Sequence, residues 1–417
     1  MTPIPCLCVG VGTPKADWPV AVSLAELGEL ATTAGLTVMG YVSQARNAPN
    51  RLSYVGSGKL ALIRDMIAEQ DIAVVICDDE LTPNQQRHLE NTLQVKILDR
   101  TSLVLDIFSQ RARTKEAHIQ IELAQLRYLQ PRLRRMWTHL SRLGGGIGTR
   151  GPGETQLEVD RRQIGMRIET LKKMLAKVRV SRDSQRKRRL ATGGLTVALM
   201  GYTNAGKSTL HHTLTESNVY QENALFATLD PTTRLVKSPL ADDILVTDTV
   251  GFIRKLPHQL IDAFRSTLEE MMYADIILHI VDCSNPYWRD LMTTAYRVLD
   301  HLNITLPQEI VVFNKIDLAP DPVLTRHACK DVSTLFISAT DPNSRDRIVQ
   351  AILQKRPHTN QQMVYRIPYN RMRLYDMIHR NGQVVSVEHT PEAIILTCVI
   401  DAVIGAQLMA ELHAPLD

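Results

Sequence analysis

No apolar run in this 417-residue chain approaches the roughly 20 residues that a bilayer-spanning helix requires. Its opening, Met1-Thr-Pro-Ile-Pro-Cys6, has neither the basic nor the apolar segment of a secretory signal. Both absences predict a cytosolic protein, peripheral at most to ribosomes or membranes. Cysteine is sparse, at positions 6, 8, 77, 283, 329 and 398, with no repeated CxxC pair and no matching histidine spacing. That argues against a zinc ribbon or a disulfide scaffold. The one tight pair, Cys6-Leu7-Cys8, is short of the four ligands and longer loops of a zinc site, so reduced thiols are expected. The length exceeds what a single core usually supports, so roughly two to four domains are expected.

What the chain does contain is four segments in the order and spacing of a GTP-binding domain: Gly201-Tyr202-Thr203-Asn204-Ala205-Gly206-Lys207-Ser208, Asp248-Thr249-Val250-Gly251, Asn314-Lys315-Ile316-Asp317 and Ser338-Ala339-Thr340. The first follows the apolar run Leu195–Met200 and precedes a helical stretch from Lys207 through Thr209 to about Thr215, the strand-to-helix setting of a P-loop. Its glycines let backbone N–H groups converge on phosphate, Lys207 supplies a point charge at the β/γ oxygens, and Ser208 can hold Mg²⁺. A second strand, Ile244–Thr247, delivers Asp248, a carboxylate that can reach the metal through water, while the Gly251 N–H can sense the γ-phosphate. A strand ending in an ordinary turn is the bland alternative. A third, Glu309–Phe313, presents Asp317, whose carboxylate can accept from the guanine N1–H and 2-amino group; adenine offers neither, so guanine is the predicted base. Ser338 and Ala339, after Thr334–Ile337, would close over the base edge, although the glycine that often follows is absent.

Further segments carry a family likeness. Phe226-Ala227-Thr228-Leu229-Asp230-Pro-Thr-Thr-Arg234, Asp248-Thr-Val-Gly-Phe-Ile-Arg254 and above all Gly144-Gly-Gly-Ile-Gly-Thr-Arg-Gly-Pro-Gly-Glu-Thr-Gln156 resemble the HflX family of ribosome-associated GTPases, as do Tyr54–Lys59, Asp78–Pro83 and Asp99–Thr101. The likeness runs from about residue 20 to about 345. It implies GTP hydrolysis, association with the large ribosomal subunit and its rRNA, and a part in splitting or rescuing stalled or stressed ribosomes. It also implies Thr228 as the switch-I Mg²⁺ ligand beside Ser208, with Thr232 and Thr233 as poorer candidates. Lys207, Thr228 and Gly251 are then the expected catalytic groups, and GTP and GDP the ligands, bound by a monomer.

The patterns divide the chain into an α/β domain at 1–112, a basic helical hairpin with a glycine-rich loop at 113–192, the P-loop GTPase domain at 193–357 and a small βαββα domain at 358–417. The fold class expected is multidomain α/β, the GTPase core being a mostly parallel sheet with helices on both faces. Net charge is only +4, but Asp160 to Arg189 is strongly cationic, and Ile164, Ile168, Leu171, Leu175 and Val178 give that stretch one apolar helical seam. Ile119, Leu123 and Leu126 give an earlier helix, ended near Pro131, a matching stripe. Arg132, Arg134, Arg135, Trp137, His139 and Arg142 lie between them, and cations with an interleaved Trp suit an RNA backbone and unstacked bases. A solvated charged hairpin is the alternative. Asp78-Asp79-Glu80, at a strand end, could bind metal but is expected to be a solvated acidic turn beginning a helix, Gly56–Lys59 a helix start rather than a second P-loop, and Gly193-Gly194 a hinge.

Phe252 stands where many small GTPases carry a water-orienting glutamine, so slow intrinsic hydrolysis is expected, with water oriented by backbone, switch I or a group supplied in trans. Asn204 matches the P-loop asparagine of GTPases that bind K⁺ beside the phosphates; a loop-capping asparagine is the other reading. Two functions compete with a ribosomal GTPase: an ATP/GTP-dependent RNA-remodelling factor, against which Asn314–Asp317 argues, and a ribosome-binding regulator with little turnover, against which the intact Lys207, Ser208, Asp248 and Asp317 argue.

Overall fold

The computed structural model describes residues 4–14, 18–136, 159, 161–178, 195–216, 225–226, 228–237, 244–255, 268, 270–319, 334–355 and 360–413. The glycine-rich loop, Trp137, His139, Arg142, Arg150, Ala227, the cations from Arg179 to Arg189 and Gly193-Gly194 lie outside them. So do the side chains of Arg134 and Arg135.

The N-terminal unit places β1 (Ile4–Gly12), β2 (Leu36–Ala45), β3 (Val74–Cys77) and β4 (Lys96–Asp99) in a parallel sheet of order β2-β1-β3-β4. α1 (Val20–Thr33), α2 (Ser57–Gln70), α3 (Pro83–Leu93) and α4 (Arg100–Arg111) connect and flank these strands. α2 starts from Gly56 in extended conformation, as expected of the Gly56–Lys59 segment. β1 carries no strong local pattern, yet it is one of the two interior strands, and Cys6 and Cys8 are fully buried within it.

α5 (Lys115–Met136) does not end at Pro131 but runs through it. A proline inside a helix costs a backbone hydrogen bond. Here the following residue anchors the last turn: Arg132 donates to Leu81 O at 2.7 Å and Asp99 Oδ2 at 3.2 Å, and its guanidinium lies 3.4 Å from the Tyr128 ring centroid. Arg132 is therefore a buried structural cation, withdrawn from the expected RNA-facing set. α6 (161–178) packs Ile164, Ile168, Leu171 and Leu175 against Ile119, Leu123 and Leu126 of α5, joined by a bidentate Arg167–Glu122 pair.

The second sheet has the order β10-β9-β8-β5-β7-β6, built from β5 (Leu195–Gly201), β6 (Thr232–Val236), β7 (Ile244–Asp248), β8 (Ile276–Asp282), β9 (Gln308–Asn314) and β10 (Thr334–Phe336). All neighbours are parallel except β6 on β7. α7 (Lys207–Thr215) follows β5, and α8 (Trp288–His301) and α9 (Asn343–Gln354) complete the layers. The parallel order places the C-terminal ends of β5, β7 and β9 together, which is where a doubly wound sheet binds ligands. At the C-terminus, β11 (Asn360–Pro368), α10 (Met372–Asn381), β12 (Gly382–His389), β13 (Ala393–Asp401) and α11 (Ala402–His413) form the expected βαββα unit, with β13 central and antiparallel to both neighbours.

Candidate functional site

The P-loop is shaped by two glycines that no other residue could replace in place. Gly201 has φ +150°, and a Cβ there would lie 2.2 Å from Ile280 O; Gly206 has φ +93°, and its Cβ would meet Asn314 Nδ2 at 2.1 Å. Between them Tyr202, Thr203 and Ala205 are buried, while Asn204 is exposed in left-handed conformation, φ +62°. Lys207 opens α7 and donates to Tyr202 O at 2.7 Å. Burial lowers its pKa to about 8, against the opposing pull of Asp248. A phosphate chain would supply the charge that this buried ammonium lacks.

Ser208, Thr228 and Asp248 converge. Ser208 Oγ donates to Asp248 Oδ2 at 2.8 Å, Thr228 Oγ1 to the same oxygen at 2.6 Å, and the two hydroxyls are 2.9 Å apart. Two cis ligands of an octahedron with 2.1 Å bonds are about 3 Å apart, so this pair of hydroxyls fits Mg²⁺. Asp248 Oδ1 is buried with no partner among the described residues, as suits an outer-sphere ligand. Gly251 packs so tightly that a Cβ would come within 2.9 Å of both Lys207 Nζ and Thr203 Cγ2. Thr209 is half-buried one residue after Ser208 in α7.

On the base side, one amide fastens two loops: Asn314 Nδ2 donates to Ala205 O at 2.9 Å and its Oδ1 accepts from Ala339 N at 2.8 Å. Lys315 pairs with Asp282 at 2.7 Å, Asp317 is exposed, Ile316 is half-buried, and Ser338 Oγ bonds Thr340 Oγ1. Other expected nucleotide contacts are engaged within the protein. Thr249 Oγ1 donates to Leu199 O at 2.6 Å; Phe226, Leu229 and Val250 enter the main core; Asp230 accepts from the start of α5.

Switch II joins the P-loop and then the N-terminal unit. Phe252 N donates to Gly201 O, Thr203 N donates to Phe252 O, and the Phe252 ring is buried. Arg254 N donates to Tyr202 Oη at 2.7 Å, and Tyr202 Oη donates to Glu26 at 2.9 Å. Arg254 also pairs with Glu26 and lies over Trp18, while Lys255 reaches Asp78 at 2.5 Å and Asp79 at 2.6 Å. Asp78 is thus not a solvated turn. It is buried, bonded to Arg100 at 2.6 Å and to Ser23, and although burial pushes its carboxyl up, Arg100 and Lys255 hold it down at about 2. This Glu26–Asp78–Arg100–Arg254 network was hidden from sequence reasoning, which sees acids beside one another but not the cations that fold onto them.

Three family models cover most of the chain: GTP-binding GTPase N-terminal at 21–109, GTP-binding GTPase Middle Region at 111–189 and 50S ribosome-binding GTPase at 196–315. The chain is 46% identical over 388 residues to GTPase HflX of Lacrimispora saccharolytica, covering 93% of this chain and 91% of that one. It is 40% identical over 353 residues to GTPase HflX of Escherichia coli K12, covering 84% and 83%. Its fold is similar to that of SsGBP in complex with GDP, with a TM-score of 0.50, 23% identity and coverage of 84% and 98%. Among the described residues no helix is long and apolar enough to cross a membrane. With a P-loop whose Ser208 meets Thr228 and Asp248 and whose Ala205 is tied to Asn314, and with such identity along nearly its whole length, this chain is a GTP-binding GTPase that belongs to the HflX family.

Proposed function

We propose that this GTPase binds the large ribosomal subunit through its basic arm and uses GTP binding and hydrolysis to split or rescue stalled ribosomes. The observation that carries the reading is the α5–α6 pair. It buries one apolar seam and leaves Arg161, Arg162, Lys173 and Lys177 of α6 exposed. Cations so placed can neutralise RNA phosphates, releasing counterions. The match of 196–315 to the 50S ribosome-binding GTPase model points the same way.

In the site, Lys207 and the P-loop amides bind the β- and γ-phosphates, Asp317 selects guanine, and Ser208 and Thr228 would hold Mg²⁺, with Asp248 reaching it through water. Mg²⁺, when bound, neutralises charge that develops between the β- and γ-phosphates. Gly251 N–H reports the γ-phosphate to switch II. Phe252, buried and apolar, orients no water, so turnover is slow until the ribosome supplies or positions the missing group. The exposed Asn204 is the residue through which K⁺ would act.

Co-sedimentation with purified large subunits tests the reading. Binding should require GTP or a non-hydrolysable analogue, and should lose about a decade or more in affinity between roughly 50 and 200 mM salt. Charge reversal at Arg142 and Arg150, or a shortened Gly144–Gly153 loop, should abolish it while GTP affinity persists. Full co-sedimentation of these variants, insensitive to salt and nucleotide, would reject the arm as the RNA-facing element.

A further inference from the structure

Switch I does not hang free beside the nucleotide site; it sits on the elbow between α4 and α5. Phe226 is buried, its ring 4.5 Å from that of Phe108 on α4 in an edge-on arrangement at 73°. Its φ is +58°, a conformation that a bulky residue holds only where its surroundings over-determine it. Four residues on, the Asp230 carboxylate accepts from Arg113 N at 2.9 Å and Thr114 N at 3.0 Å, and from the Thr114 hydroxyl. That hydroxyl in turn accepts from Ala117 N at 3.1 Å, so Thr114 caps α5 while it grips switch I. Thr228 lies midway between the two anchors and is the residue that reaches Ser208 and Asp248.

We propose that the α4–α5 elbow is a seat that positions switch I in cis, with Asp230 and Thr114 as positioning residues for Thr228. A loop fixed at two points two residues either side of the metal-binding hydroxyl has little conformational freedom left to lose when nucleotide arrives. Without the seat, that ordering must be drawn from the binding of Mg²⁺ and γ-phosphate. The contact also joins switch I directly to the first helix of the basic arm. By linkage, whatever tilts α5 changes the closure of switch I, and closure of switch I biases α5 equally. The seat is a property of the GTPase and is tested with nucleotide alone, so it stands or falls separately from the ribosomal reading.

The experiment measures retention of a fluorescent, non-hydrolysable GTP analogue as a function of Mg²⁺, together with hydrogen exchange of the 226–230 amides in the nucleotide-free protein. Asp230→Ala should raise the Mg²⁺ concentration for half-maximal retention by about tenfold and speed exchange by a similar factor, with GDP affinity in EDTA unchanged. Thr114→Val should do the same and Thr114→Ser should restore it. The Thr114→Val/Asp230→Ala pair should be no worse than either alone. If the Asp230 variant fails to fold, Phe108→Leu provides the second route, loosening the other anchor with the same Mg²⁺ signature. Wild-type Mg²⁺ dependence and exchange in the folded variants, or strictly additive effects of the pair, overturn the proposal.

Discussion

Truncating Asn314 to alanine isolates how the base side of the site is held. The side chain is 1% exposed, and its two bonds, 2.9 Å to Ala205 O and 2.8 Å from Ala339 N, both end on buried backbone. Removing it strands one carbonyl and one amide, each worth about 1–3 kcal/mol when left unpaired. A water entering the vacated volume can serve both, which places the net loss at the lower end, about 2–3 kcal/mol. At about 1.4 kcal/mol per decade, that corresponds to roughly 30- to 150-fold in nucleotide affinity if the loops are free to separate. Fluorescent GDP titration gives the affinity, and melting curves with and without GDP separate loss of fold from loss of binding. Because both bonds stay within the protein, IDP, which lacks the guanine 2-amino group, should lose affinity by the same factor. Gly206→Ala, whose new methyl would occupy the Nδ2 position, should reproduce the phenotype. An affinity within threefold of wild type, or a loss confined to GDP, would refute the assignment of Asn314 as a fastener of the P-loop.

Three other outcomes follow from the same geometry. Asp317→Asn should shift preference from guanine to xanthine nucleotides, which competition with XDP reads directly; unchanged GDP preference would remove Asp317 from the base site. Asp78 is ionised well below its ordinary range, so its stabilisation, about 2 kcal/mol, is complete above about pH 4 and fades as pH falls toward 2; Arg100→Met should cost about 3 kcal/mol and move the acid-unfolding midpoint upward in circular dichroism, whereas an unmoved midpoint would mean that Arg100 does not hold the charge. Phe252→Ala should change basal phosphate release by no more than a few-fold, and replacing Na⁺ with K⁺ should accelerate it; a loss of several hundredfold in the first, or equal rates in the two salts, would contradict the roles given to Phe252 and Asn204.

The sequence by itself determined the strand-and-helix alternation, the start and end of α7 at Lys207 and Thr215, the C-terminal βαββα unit and the apolar seam of α5 and α6, because each is written in a local period or a short motif. It also supplied the candidate metal-site residues Ser208 and Asp248, since the chemistry of phosphate and Mg²⁺ restricts which residue types can serve, whereas only the family resemblance singles Thr228 out from Thr232 and Thr233. Other features depended on partners far along the chain. β1 is an interior strand because it buries Cys6 and Cys8 between neighbours, not because its own pattern, broken by Pro5, demands it. Arg132 carries α5 past Pro131 because Leu81 O and Asp99 await it, and Asp78 is a buried ion because Arg100 and Lys255 arrive from elsewhere. The tertiary structure alone seated Phe226 and Asp230 on the α4–α5 elbow. Periodicity reports which face of an element is apolar; the cost of an unpaired buried charge and the geometry of a distant hydrogen-bond partner are properties of the folded chain alone.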